Sequence, residues 1–146
     1  MTATDNEAIY RRIIEEGFNR GDLGVADELV APNALEHQRG GGGEGPEGVK
    51  RTIKYLRSAF SDFSITIDDI VSVGDQVWAR QRGGGTNDGS FFGRPPTGKR
   101  AFTDVIDVCR FEEGKMVEHW GVPDQLGMMI QLGHVTLPAR PDAVKV

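Results

Sequence analysis

Residues 106–133 read IDVCRFEEGKMVEHWGVPDQLGMMIQLG: a strand, a tight turn, a returning strand and a capped helix. The length of the turn decides which side chains meet. Phe111-Glu112-Glu113-Gly114-Lys115 suits a three-residue loop, a type I turn closed by a left-handed glycine acting as a bulge. A two-residue Glu113-Gly114 turn is the poorer alternative, because tight hairpins ask for positive φ at their first central residue, where glutamate is disfavoured. The three-residue loop sets Phe111 opposite Lys115, Cys109 opposite Val117, Asp107 opposite His119 and Val105 opposite Gly121. Opposed residues share one face of a sheet. The expectation is an Asp107–His119 couple among small apolar neighbours, like the wall of a small-molecule pocket. A slip of one residue would send His119 to the opposite face.

Upstream, Thr4-Asp5-Asn6-Glu7 reads as a capping box, followed by Ile9, Tyr10, Ile13, Ile14 and Phe18 at helical spacing, with an end near Gly21. A short second helix spans Leu23 to Val30 and stops at Pro32, and Ala34 to Gln38 fits a brief strand. Pro46 suits the first turn of a third helix, with Val49, Ile53, Leu56 and Phe60 on one stripe. Alternation from Phe63 to Val73 predicts a long strand, Gly74-Asp75 a two-residue turn, and Val77 to Arg82 the return. That turn pairs Asp69 with Arg80 and Val71 with Trp78. Pro123-Asp124 opens a last helix carrying Leu126, Met129 and Ile130. Helices first, then long antiparallel strands, predict an α+β fold whose curved, mainly antiparallel sheet wraps around N-terminal helices. One domain over 1–146 is expected, with an ordered core of about 5–133 and a tail over 134–146.

Composition narrows the function. The chain has 146 residues and a net charge of −5, and no Lys/Arg run reverses that sign, which argues against a nucleic-acid partner. No apolar run is long enough for a membrane span, and MTATDNEAIYRR lacks the apolar centre of a signal peptide. A single cysteine fits a reducing, cytoplasmic setting. Gly93 to Arg100 imitates a phosphate-binding loop but ends in arginine where Ser/Thr is needed, and its prolines lack the cradling amides. The glycines between Arg39 and Gly45 suit a mobile lid. No metal-ligand spacing and no nucleophile elbow are present, and Cys109 reads as a small core residue.

Three stretches together, GVKRTIKYLRSAFSDFSITIDDIVSVGDQV (48–77), FFGRPPTGKR (91–100) and RFEEGKMVEHWGVPDQLGMMIQLG (110–133), resemble the SnoaL-like polyketide cyclases. The likeness runs from about Ala8 to Gly133. That family belongs to the cone-shaped superfamily of ketosteroid isomerase, scytalone dehydratase and nuclear transport factor. The resemblance implies a conical cavity, a homodimer, no metal and no organic cofactor. It also implies intramolecular aldol ring closure, in which a carboxylate takes the substrate proton and the enolate spreads over the substrate. Aligning Glu118 to Asp124 with those cyclases puts Gly121 where they carry the acid/base aspartate, and Asp107 where they carry a histidine. His119 matches their last-strand histidine, Asn33 a pocket asparagine, and Gly85-Thr86-Asn87 a Gly-Thr-His.

The candidates then weigh as follows. Asp107 and His119 form either a proton shuttle or a polar pair that only satisfies itself. His37 lies where relatives place a histidine at the cavity mouth, but also suits a surface role. Asn33 matches a pocket position and is ordinary turn chemistry after Pro32. Arg80 fits a structural ion pair or an anion contact, and Asp124 a helix N-cap or a ligand contact. Trp120, out of phase with His119, should face the far side of the sheet. Gly121 enlarges the cavity. The expected function is cofactor-free acid–base chemistry (cyclisation, isomerisation or hydration) on a small apolar carbonyl compound, with Asp107 and His119 catalytic and His37, Asn33, Arg80, Gly121 and Asp124 at the ligand. A non-catalytic binder of the same fold and a cofactor-independent hydroxylase are the alternatives. On this reading His119→Ala removes turnover and spares the fold.

Overall fold

The computed structural model describes residues 2–140. Its first helix, α1 (Ala3–Arg12), is capped by Thr2, whose hydroxyl accepts the Asp5 amide while the Asp5 carboxylate accepts the Thr2 amide at 2.9 Å. The expected box at Thr4 is thus displaced two residues toward the N-terminus. Both quartets fit the Ser/Thr-x-x-acid pattern, and the earlier one gains an additional turn. The helix continues as a π-helical stretch, Ile13–Asn19, before α2 (Gly24–Leu29). Asn19 closes that stretch by gripping the backbone of Ile65: its amide donates to Ile65 O at 2.9 Å and its oxygen accepts Ile65 N at 2.7 Å.

The remaining elements are β1 (Val30–Glu36), α3 (Gly45–Ala59), β2 (Ser64–Val73), β3 (Gln76–Thr86), β4 (Arg100–Glu112), β5 (Lys115–Pro123) and α4 (Gln125–Gln131). They form a five-stranded sheet in the order β1-β5-β4-β3-β2, antiparallel except for β1, which runs parallel to β5 along one edge. The expected α+β architecture is therefore present, with β1 starting earlier and β3 running longer than the sequence suggested. Registers shift in β1, in β2 beside Asp68, and between β4 and β5. Such bulges bend a sheet, and here the strands curl over α1, the π-helical stretch and α3.

Alternation assigns the two faces. Val77, Ala79, Gln81, Thr103, Asp107, Cys109 and Phe111 are buried on the concave side, and Trp78, Arg80 and Arg82 are exposed on the convex side. Two apolar clusters fill the concave side, one around Tyr10, Ile13 and Val77, the other around Phe60, Phe91 and Leu132. The loop imitating a phosphate site is anchored on Asn87, fully buried, whose side chain accepts Thr97 N at 3.0 Å and donates to Gly89 O at 2.9 Å.

The glycine-rich segment 39–45 is not loose. Gly42 N donates to Thr52 Oγ1 at 3.1 Å, and Arg51 Nε donates to Gly42 O at 2.7 Å. A Cβ on Gly48 would overlap the Gly43 carbonyl, so glycine is what lets loop and α3 touch. The expected lid is a packed strap.

The β4–β5 hairpin also corrects the sequence. Glu112 faces Lys115 across a two-residue turn in which Glu113 takes φ 48° and Gly114 φ 79°. Glutamate does adopt the disfavoured left-handed conformation. Phe111 then pairs with Met116, but Arg110 pairs with Glu118, leaving Val117 as an unpaired bulge. Cys109 therefore faces His119, and Asp107 faces Gly121. The register is two residues away from the expected one, and an even shift keeps every side chain on its face.

The tail beyond Gly133 carries no regular structure as far as residue 140, and the last six positions of the expected tail lie outside the described residues. No described helix is long and apolar enough to cross a membrane.

Candidate active site

The concave face, α1, α3 and α4 enclose a cavity of about 160 Å³. That is more than tenfold the ~10–15 Å³ a single water needs. Its walls are mostly apolar, from residues such as Ile14, Phe18, Leu56, Phe63 and Met128. Tyr10, Glu36, Gln81, Asp107 and His119 form a hydrogen-bonded polar cluster in the lining.

At the centre stands His119. The bulge at Val117 turns it inward, for a bulge-free strand continuing from the inward Met116 would point residue 119 outward. Its Nε2 lies 3.1 Å from Asp107 Oδ1, and its Nδ1 lies 2.8 Å from Glu36 Oε1 and 3.0 Å from Oε2. The two residues expected to meet are thus diagonal rather than directly opposed, within bonding reach. Glu36 comes from the end of β1, which pairs with His119 in the backbone ladder.

Both ring nitrogens face carboxylates. Burial disfavours the cation, but the bonds to Asp107 and Glu36 outweigh it and raise the pKa from the usual 6.5 to about 10. At neutral pH His119 is therefore an imidazolium whose two ring nitrogens donate to Asp107 and Glu36.

The far oxygen of Asp107 is equally engaged. Gln81 Nε2 donates to Asp107 Oδ2 at 2.8 Å, and the Tyr10 hydroxyl lies 3.0 Å from that oxygen and 2.8 Å from Gln81 Oε1. Tyr10 reaches in from α1 and Gln81 from β3. Burial, and then the charge of Asp107, push the Tyr10 phenol well above its ordinary range, so it stays a neutral donor. Burial and the same carboxylates raise the Cys109 thiol, which removes it as a nucleophile at neutral pH. Gln38 borders this cluster. Its side chain lies over Gly121 beside Asp107.

The other expected ligand contacts lie elsewhere. His37 stacks on Trp120 with ring centres 4.8 Å apart, and its Nε2 is 2.7 Å from Glu118 Oε1 on the convex face. The expected outward orientation of Trp120 places that pair there, because residues 37 and 120 are both out of phase with His119. Asn33 is exposed on β1, outside the cavity lining. Arg80 lies opposite Asp69 as expected but points outward, 3.7 Å from Asp68, which Arg82 holds more closely at 2.8 Å. Asp124 caps α4 by accepting Gly127 N at 2.9 Å and is likewise no part of the lining.

Four cluster members, Tyr10, Glu36, Gln38 and Gln81, were not foreseen as such. Gln81 alternates in phase with Val77 and Ala79, so a polar residue on the buried face was a readable signal. Tyr10 sat in an apolar stripe, where only its hydroxyl hinted at a partner. Glu36 and Gln38 gave none, because their place depends on β1 crossing to β5.

Among the described residues no group of three or more His, Cys, Asp or Glu side chains has the arrangement of a metal site.

A conical α+β domain with a hydrogen-bonded Asp–His–Glu chain in the wall of an apolar cavity defines a class of small-molecule acid–base proteins. Residues 8–132 match the SnoaL-like polyketide cyclase family, and the chain belongs to it. It is 32% identical over 132 residues to the aklanonic acid methyl ester cyclase DnrD of Streptomyces peucetius, covering 86% of this chain and 88% of that protein. Among solved structures, TsrD from Streptomyces laurentii superposes with a TM-score of 0.84 at 28% identity, over 92% of this chain and 99% of that one. AclR from Streptomyces galilaeus, described as a putative hydroxylase, superposes at 0.81 with 26% identity, over 97% of this chain and 91% of that one.

Proposed function

We propose that this protein closes a ring in a polyketide-like substrate by cofactor-free acid–base catalysis, with Asp107 as the proton acceptor. The observation that carries this reading is the Glu36–His119–Asp107 chain facing an apolar cavity. Asp107 removes a proton from the carbon between two carbonyl groups. The resulting enolate carbon attacks a third carbonyl of the same molecule, a carbon–carbon bond forms, and the carbonyl π pair becomes an alkoxide. The proton held on Asp107 passes to that alkoxide, so atoms and electrons balance without an oxidant. His119 stays charged throughout. It aims Asp107 and offsets the charge of two neighbouring carboxylates.

The substrate class follows from the cavity walls and from the relative that acts on aklanonic acid methyl ester. That ester is therefore the first compound to assay. Asp107→Asn, which keeps the shape and removes the base, should lower its turnover by at least ~10²-fold. Turnover at the wild-type rate would end the proposal. An oxygen requirement for product formation would instead support hydroxylation, which the likeness to AclR favours as the second reading.

Two further expectations accompany this one. The whole chain acts as one domain, and it works as a homodimer in the cytoplasm. The dimer reading rests on exposed apolar side chains on the convex face, Trp78, Ile106 and Val122 among them.

A further inference from the structure

Gly121, opposite Asp107, leaves open the space a side chain would fill, and its backbone does not require glycine, since it is absent from the residues with positive φ. What occupies the space is Gln38. A Cβ built on Gly121 would overlap Gln38 Oε1, sit 2.9 Å from Gln38 Cδ, and lie 3.0 Å from Asp107 Oδ1. The carboxamide of Gln38 is therefore seated on Gly121, next to the proton-accepting carboxylate.

The backbone of Gln38 is held from both sides. Its amide donates to Glu36 Oε1 at 2.8 Å, its carbonyl accepts Gly41 N at 3.1 Å, and the preceding residue bonds His119 O at 2.9 Å. The side chain, by contrast, makes no hydrogen bond to another described residue, although it is half-buried and lines the cavity. Its primary amide offers two donors that no described residue takes up. A pinned backbone carrying an unspent carboxamide in the cavity lining can offer a hydrogen-bond donor to a ligand oxygen.

We propose that Gln38 is a substrate-contacting residue whose Nε2 donates to the carbonyl oxygen that becomes the enolate, and that Gly121 is glycine to seat it. Such a donor, aimed where negative charge develops, accelerates the step more than it tightens ground-state binding. The assignment rests on the ring-closing reading above.

Single-turnover and steady-state assays of Gln38→Ala and Gln38→Glu with aklanonic acid methyl ester should show kcat reduced about 10²-fold, with KM within about threefold of wild type. Gly121→Ala should reproduce that loss by displacing the carboxamide, and the Gln38→Ala/Gly121→Ala double variant should be no slower than either single one. Melting temperatures should stay level, which separates this role from a structural one. Normal kcat in Gln38→Ala, or additive losses in the double variant, would overturn the assignment. If the wild-type protein leaves the ester unchanged, the ring-closing reading fails by itself. Gln38 is then judged by fluorescence titration with a hydroxyanthraquinone, where Gln38→Ala should raise Kd about tenfold and equal affinity would reject the contact.

Discussion

At the scale of single residues, His119 differs from the histidine expected of a proton shuttle. A shuttle titrates near neutrality, whereas this imidazolium is clamped by Asp107 and Glu36 at 3.1 and 2.8 Å. Its folded pKa of about 10 lies above the unfolded value near 6.5, so its contribution to stability is complete below pH 6.5 and fades as pH rises toward 10. Thermal unfolding followed from pH 6.5 to 10 should show the melting temperature falling through this window, and His119→Gln should flatten much of that slope. A wild-type curve that stays level would show that the cation is not held. The same geometry revises what His119→Ala does. Removing the cation leaves two carboxylates facing each other, at side-chain exposures of 10% and 18%, so the fold weakens by roughly 3–5 kcal/mol, as for other broken buried pairs. Asp107→Asn is the cleaner probe. Asp107 and His119 were legible in the sequence because the shorter turn and the bulge at Val117 together shift the register by an even number of residues. Their partners were not, since Tyr10, Glu36 and Gln81 arrive from three other elements.

At the scale of elements, the β4–β5 hairpin shows how two local errors can leave a site intact. The additional residue expected in the turn lies instead in the strand, at Val117. The turn preference of glutamate lost to tertiary context: Glu113 sits at φ 48° while its neighbours complete the ladder. Deleting Val117 should remove the bulge, shift β5 by one position and rotate His119 to the convex side. The expected result is a folded protein without turnover, whose His119 imidazole titrates near the ordinary 6.5 by NMR. Retention of the high-pKa signal would show that the bulge does not set the orientation. Helices and long strands were readable from apolar spacing alone. The strap at 39–45 was not, because glycines signal mobility in sequence, and only the seat on Gly48 shows close packing.

For the whole molecule, the two faces of the sheet divide the labour. The concave face holds the acid–base chain, and the convex face carries Trp78 at 47% exposure, Ile106 at 43% and Val122 at 71%. If a second copy covers that face, Val122→Glu should convert a dimer to a monomer in sedimentation velocity without altering the far-ultraviolet circular dichroism. A wild-type protein sedimenting as a monomer at micromolar concentration would dismiss the dimer. The parallel edge strand has a separate consequence. Glu36 and Gln38 belong to β1 or its continuation, which is hydrogen-bonded to the sheet only through β5 and in a broken register, whereas Asp107 stands in the middle of the sheet. Any molecule bridging Gln38 and Asp107 rivets the least secured strand to the most secured one. Occupancy should therefore be written into the amide exchange rates of residues 30–36, which would slow on binding and give a ligand screen that needs no knowledge of the product.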